Sequence, residues 1–124
     1  MHALGKIKVT TAIPERLARL KDIAYNMWWS WNNEAIDLYR DIDLALWENL
    51  KKNPVRFLQE VSLRKIEEKL ADTEFLAQYD EVVSRFDAYM EEKNTWYPAT
   101  HPELVDERIV YFSAEYGLHE VLPV

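Results

Sequence analysis

Few residues in this chain combine types and spacing suited to chemistry. The stretch Tyr111-Phe112-Ser113-Ala114-Glu115-Tyr116-Gly117-Leu118-His119-Glu120 is the first of them. It sets a carboxylate, a glycine and a His-Glu pair just after a β-branched and aromatic run. Open α/β sheets present their ligand-binding groups in that way, at the carboxyl ends of strands. A plain glycine-containing turn has the same composition. Glu115, His119 and Glu120 reproduce no known metal-site spacing, and His2, His101 and His119 form no i, i+4 pair, so no metal site is expected. Glu67/Glu68 and Glu91/Glu92 are sequence neighbours that diverge on a helix, which suits solvated charge and not an acid and base pair.

The second feature is aromatic. Trp28, Trp29 and Trp31 put three of the five tryptophans within four positions. Indole faces can stack on the C–H faces of glucose units, yet Leu17, Leu20, Ala24, Met27, Trp28 and Trp31 recur at helical spacing and read as one core-facing stripe. Trp29 falls off that stripe. It is therefore the candidate for a substrate-binding, surface or interdomain contact.

These residues need elements to position them. Pro14 suits the first turn of a helix that runs from Leu17 through Trp28. Asn32-Asn33 can start a short helix with Ile36, Leu38 and Tyr39 inward, ending near Arg40-Asp41. Asp41 or Asp43 can cap a third, with Leu44, Trp47 and Leu50 along its apolar edge. Asn53-Pro54 stops that helix and opens the next, in which Val55, Phe57, Leu58 and Val61 are to be buried. Ser62 leads into Leu63, Ile66 and Leu70, with Arg64 to Lys69 as a solvated face. From Asp72, the residues Phe75, Tyr79, Val82, Phe86, Tyr89, Met90 and Lys93 predict the longest helix, a rod of roughly 30 Å. Pro98 and Pro102 argue against helix beyond Asn94. Arg108 to Ser113 reads as a buried strand whose only visible partner is the weak Ile7 to Val9 segment.

The bulk numbers fit a mainly α protein. At 124 residues with 48% hydrophobic side chains, the chain is long enough for a core, and two glycines leave no material for a glycine-rich phosphate cradle. The net charge of −7 disfavours nucleic acid and anionic membranes as partners. Without cysteine there are no disulfides or thiolate metal sites. No apolar run approaches the roughly 20 residues of a membrane span, and Met1 to Lys6 lacks a signal-peptide pattern, so a soluble cytoplasmic protein is expected.

Two strings carry a resemblance. YFSAEYGLHEVLP resembles the start of the catalytic region of bacterial and archaeal α-glucan (glycogen or maltodextrin) phosphorylases, and AYNMWWSWNNEA resembles the helical domain preceding it. Asp43, Leu46-Trp47 and Asn53-Pro54-Val55 also resemble that domain, so the likeness covers the chain from about Pro14. It implies an enzyme of two Rossmann-like domains that uses the phosphate of pyridoxal phosphate, held through a downstream lysine, to release glucose 1-phosphate from an α-1,4-glucan. It also places Glu115 at the floor of the active-site cleft, with Gly117, His119 and Glu120 on the turn toward a glycine-rich loop that would follow Val124. Glycogen and starch synthases have a similar strand, acid and glycine-loop order, but not usually a tryptophan-rich helical domain in front.

The expected organisation is an arm at 1–13, a helical bundle domain at 14–96, a connector at 97–107 and the first β-strand of a truncated glycosyltransferase domain at 108–124. The expected function is the N-terminal part of an α-glucan phosphorylase, with glucan, inorganic phosphate and the rest of the catalytic domain as partners. No cofactor site and no activity are expected in these 124 residues alone. A freestanding helical glucan-binding or interaction module is the alternative from another class.

Overall fold

The computed structural model describes residues 12–110 and Phe112. These residues are helical, with no strand among them. Two compact units divide between Val83 and Ser84.

The first unit begins with a 3-10 turn, Glu15–Leu17, for which Pro14 is the flanking residue, and continues into helix α1, Arg19–Ala24. Leu17, Leu20, Ile23 and Ala24 face the core, as the stripe predicts. The expected continuous helix through Trp28 does not form. Tyr25 leaves the helical region and Asn26 is extended (φ −117°, ψ 125°), after which a 3-10 turn runs over Met27–Trp31. Asn26 sets this break, because its side-chain oxygen accepts the Trp28 amide at 3.0 Å and caps the new turn. Competition of this kind between an Asn side chain and helix continuation is the usual way a run is interrupted.

Helix α2 spans Asn33–Ile42 and buries Ala35, Leu38, Tyr39 and Ile42, with Ile36 only partly covered; it passes the expected stop at Arg40-Asp41 by a residue. Asp43 then caps α3, Leu44–Asn49, by accepting the Leu46 amide at 3.0 Å. Trp47 is the buried residue of α3, whereas Leu44 is 53% exposed, so the apolar edge expected there is narrower than its sequence. Lys51 and Lys52 take positive φ (53° and 59°) in the turn that follows. No glycine occupies this turn, so the chain accepts modest backbone strain there.

The Asn53-Pro54 reading holds: Asn53 accepts the Arg56 amide at 3.1 Å and Pro54 occupies the first turn of α4, Pro54–Glu60. Ser62 caps α5, Leu63–Leu70, whose inward residue is Ile66 while Leu63 is exposed. Asp72 accepts the Phe75 amide at 3.0 Å at the start of α6, Thr73–Glu91. The long helix buries Phe75, Tyr79, Val82 and Phe86, which lie on one face, but Tyr89 and Met90 are exposed and Lys93 lies past its end.

In the second unit a short helix α7, Trp96–Thr100, and a 3-10 turn, Pro102–Leu104, occupy the region read as a helix-free connector. Proline is tolerated in both because each lies in a first turn, where the amide it lacks has no intrahelical partner. Ile109, Val110 and Phe112 are exposed. The strand expected over Arg108 to Ser113 includes Tyr111 and Ser113, and its sheet partner was expected at Ile7 to Val9, all outside the described residues.

Candidate functional site

The tryptophan-rich segment lies at the heart of the first unit. Trp29 is 1% exposed and Trp28 4%, whereas Trp31 is 61% exposed. The sequence assignment of Trp29 and Trp31 is thus reversed. A helical phase carried from α1 does not survive the extended Asn26, and Trp31 stands one 3-10 turn, about 6 Å, beyond Trp28. Trp29 meets Trp47 edge-to-face at 6.2 Å, and Trp47 stacks on Tyr39 at 5.4 Å with an interplanar angle of 10°. Phe57 closes the cluster edge-on to both Tyr39 and Trp47, each at 5.9 Å. Mixed stacked and edge-to-face geometry satisfies the ring quadrupoles. An indole so enclosed offers no face to a sugar, so the surface contact expected of Trp29 is corrected to a core contact.

The polar atoms of this cluster are nearly all placed. The Tyr39 hydroxyl donates to the Leu20 carbonyl at 2.8 Å, tying α2 to α1, and burial pushes its pKa far above the ordinary phenol value. Asn32 donates its amide to the Trp28 carbonyl at 2.6 Å, and Ser30 donates to the Met27 carbonyl at 2.7 Å. Trp47 Nε1 is buried without a hydrogen-bond partner. The arrangement is that of a structural core.

A shallow cleft of about 210 Å³ is lined by Asp41, Asp72, Glu74, Phe75 and Gln78. Two of its polar side chains, Asp72 and Gln78, already serve the fold. Asp72 caps α6 and pairs with Lys69 at 3.5 Å, and Gln78 donates to the Glu34 carbonyl at 3.4 Å. No group of three His, Cys, Asp or Glu among the described residues is arranged to hold a metal ion. The carboxylates of Asp41, Asp72 and Glu74 would repel a phosphate, so pyridoxal phosphate does not fit this cleft.

The residues singled out at the sequence level, Glu115, Gly117, His119 and Glu120, lie outside the described residues. A cluster that sequence reading passed over lies in the second unit, where Trp96, Tyr97 and His101 meet around α7. The i, i+4 spacing of Tyr97 and His101 was the available signal, hidden by the prolines around it.

Residues 13–122 match a family model described as a protein of unknown function, DUF3417. The chain belongs to this family. It is homologous to the N-terminal region of maltodextrin and glycogen phosphorylases. It is 35% identical over 117 residues to a maltodextrin phosphorylase of Thermococcus litoralis, covering 94% of this chain and 14% of that protein. A glycogen phosphorylase of Mycobacterium tuberculosis is 36% identical over 128 aligned positions, covering 99% of this chain and 15% of the relative. One of Aquifex aeolicus is 39% identical over 103 residues, covering 83% of this chain and 14% of the relative. This family member therefore spans about one seventh of the length of those curated relatives. No solved structure matches it. No helix among the described residues is long and apolar enough to cross a membrane.

Proposed function

We propose that this chain is the N-terminal part of an α-glucan phosphorylase, in which the helical domain has a structural role. The observation that carries this reading is the identity of 35–39% to maltodextrin and glycogen phosphorylases across most of the chain. The aromatic core supports it, because Trp29, Tyr39, Trp47 and Phe57 are spent on holding helices together and not on a ligand.

On this reading the full enzyme transfers the terminal glucosyl unit of an α-1,4-glucan to inorganic phosphate. Pyridoxal phosphate, when bound in the full enzyme, supplies a phosphate group that exchanges a proton with the attacking phosphate. The chain has only Gly5 and Gly117, so the glycine-rich phosphate cradle has to come from polypeptide outside these 124 residues. On this reading Glu115, Gly117, His119 and Glu120 lie close to the active site of the full enzyme, and all four fall within the matched range 13–122. The rest of the catalytic domain is the partner, and the cytoplasm is the compartment.

The test compares the 124-residue chain with the same chain joined to a polypeptide homologous to the remainder of the relatives. Phosphate-dependent release of glucose 1-phosphate from maltoheptaose is expected from the joined protein and not from the short chain, which also gives no Schiff-base absorbance with pyridoxal phosphate. Phosphorolysis by the short chain, or none by a folded joined protein, would overturn the proposal and favour a freestanding module.

A further inference from the structure

Ile23 to Asn33 is the longest run in this chain without a charged residue. At 30% charged residues, eleven positions would ordinarily hold about three. Four of the eleven, Ile23, Ala24, Trp28 and Trp29, are buried, and the core accounts for them. The other seven keep some exposure, and two of these are large rings: Tyr25 is 66% exposed and Trp31 61%. The core of the first unit explains neither ring. One extended residue and five in a 3-10 turn separate them, so their Cα atoms lie within about 13 Å of each other along the backbone. A single protein contact of ordinary size, roughly 800 Å² on each side, covers both.

The turn that carries the rings is fixed from below. Asn26 accepts the Trp28 amide, Ser30 donates to the Met27 carbonyl, Asn32 donates to the Trp28 carbonyl, and the buried Trp28 and Trp29 anchor the segment in the core. A surface held in this way pays little ordering entropy when it is covered. Depletion of charge with Tyr, Trp and Met present is the composition found at the centre of protein contacts. Within the run no carboxylate or guanidinium is available to fix the hydroxyls of a sugar, and no cation to hold a phosphate.

The extent of the patch selects among protein partners. A stable contact between free molecules takes about 20–30 residues a side, far more than the seven exposed here. A domain on the same polypeptide faces the patch at an effective concentration in the millimolar range, so a smaller contact suffices. The aligned region is 14–15% of each relative, and most of each relative's length therefore lies outside it. We infer that Tyr25 and Trp31, at the two ends of the charge-free turn, dock the helical domain onto an uncharged surface of the polypeptide that makes up the remainder of the full enzyme. This inference rests on the reading under Proposed function and deepens it by naming the surface.

Hydroxyl-radical footprinting read by mass spectrometry tests it, because Tyr and Trp are oxidised in proportion to their exposure. The 124-residue chain is compared with the joined protein, both without glucan. Oxidation of Tyr25 and Trp31 should fall severalfold in the joined protein, while Leu63, an exposed apolar residue of α5, keeps its rate. The double variant Tyr25→Ser, Trp31→Ala should lower the melting temperature of the joined protein and leave that of the short chain unchanged. Four outcomes would overturn the inference: unchanged oxidation of both rings in the joined protein, protection of Leu63 equal to theirs, protection that appears only with maltoheptaose, or protection in the short chain that grows with its concentration. The third would assign the rings to a glucan and the fourth to a second copy of this chain. The two readings fail separately. Phosphorolysis by a joined protein whose rings stay exposed sinks only this inference, and protected rings in a folded joined protein without phosphorolysis sink only the enzymatic one.

Discussion

Trp28 and Trp31 differ by three positions and by most of their surface. Trp28 is 4% exposed and Trp31 61%, although both belong to one 3-10 turn and both lie on the stripe that begins at Leu17. Replacing Trp28 by Ala should cost about 3–5 kcal/mol, the range for emptying a large buried aromatic site. Trp31→Ala should stay within about 0.5 kcal/mol of the parent, as surface substitutions do. Urea denaturation of the two variants checks both values, and a loss above about 2 kcal/mol for Trp31→Ala would contradict the exposed placement. The periodicity correctly placed Leu17, Leu20, Ala24 and Trp28 in the core. It could not place Trp29 and Trp31, because one Asn side chain at position 26 resets the helical phase, and phase is what a periodic pattern measures.

At the scale of elements, side-chain caps made most boundaries legible. Asp43, Asn53 and Ser62 each accept an amide three residues on, and each was readable as an acid, Asn or Ser ahead of an apolar run. Asp43 does more than cap α3. Its carboxylate accepts the Leu46 amide, and Lys65 of α5 approaches it at 3.1 Å, which together hold its pKa below the ordinary carboxylate range despite partial desolvation. Asp43→Ala should therefore cost about 1 kcal/mol or somewhat more, and Asn53→Ala about 1 kcal/mol. Asp43→Asn keeps the capping oxygen and loses only the pair with Lys65, so it should cost less than Asp43→Ala. Thermal unfolding of the three variants orders them, and an Asp43→Asn variant as unstable as Asp43→Ala would show that the charge outweighs the cap. Helix α7 was not legible, since Pro98 and Pro102 look like helix breakers unless their first-turn positions are known.

The described residues as a whole contain no buried charged side chain. Their ion pairs, such as Arg16–Asp80, Arg56–Glu60 and Arg64–Glu68, are exposed and worth little each. Much of the pH dependence should then come from a few shifted groups. Asp43 has a lowered folded pKa, so its contribution is present above the ordinary carboxylate range and is lost as pH falls through the folded value. Tyr39 has a raised folded pKa because it is buried, with a further push from Tyr79, and Tyr79 is itself raised mainly by burial. A raised pKa acts in the opposite window. Stability is full below the unfolded phenol value of about 10 and is lost as pH climbs above it, because the unfolded chain releases protons that the folded chain retains. For the fully buried Tyr39, each unit of pH above that point removes up to about 1.4 kcal/mol. Tyr39→Phe should lower stability at neutral pH by about 1 kcal/mol, through loss of the hydrogen bond to Leu20, yet make the alkaline decline shallower. Urea denaturation of wild type and Tyr39→Phe between about pH 7 and 11.5 tests both halves of this expectation. Parallel alkaline limbs for the two proteins would mean that Tyr39 ionises as readily in the folded chain as in the unfolded one, contrary to its enclosure by Trp47 and Phe57.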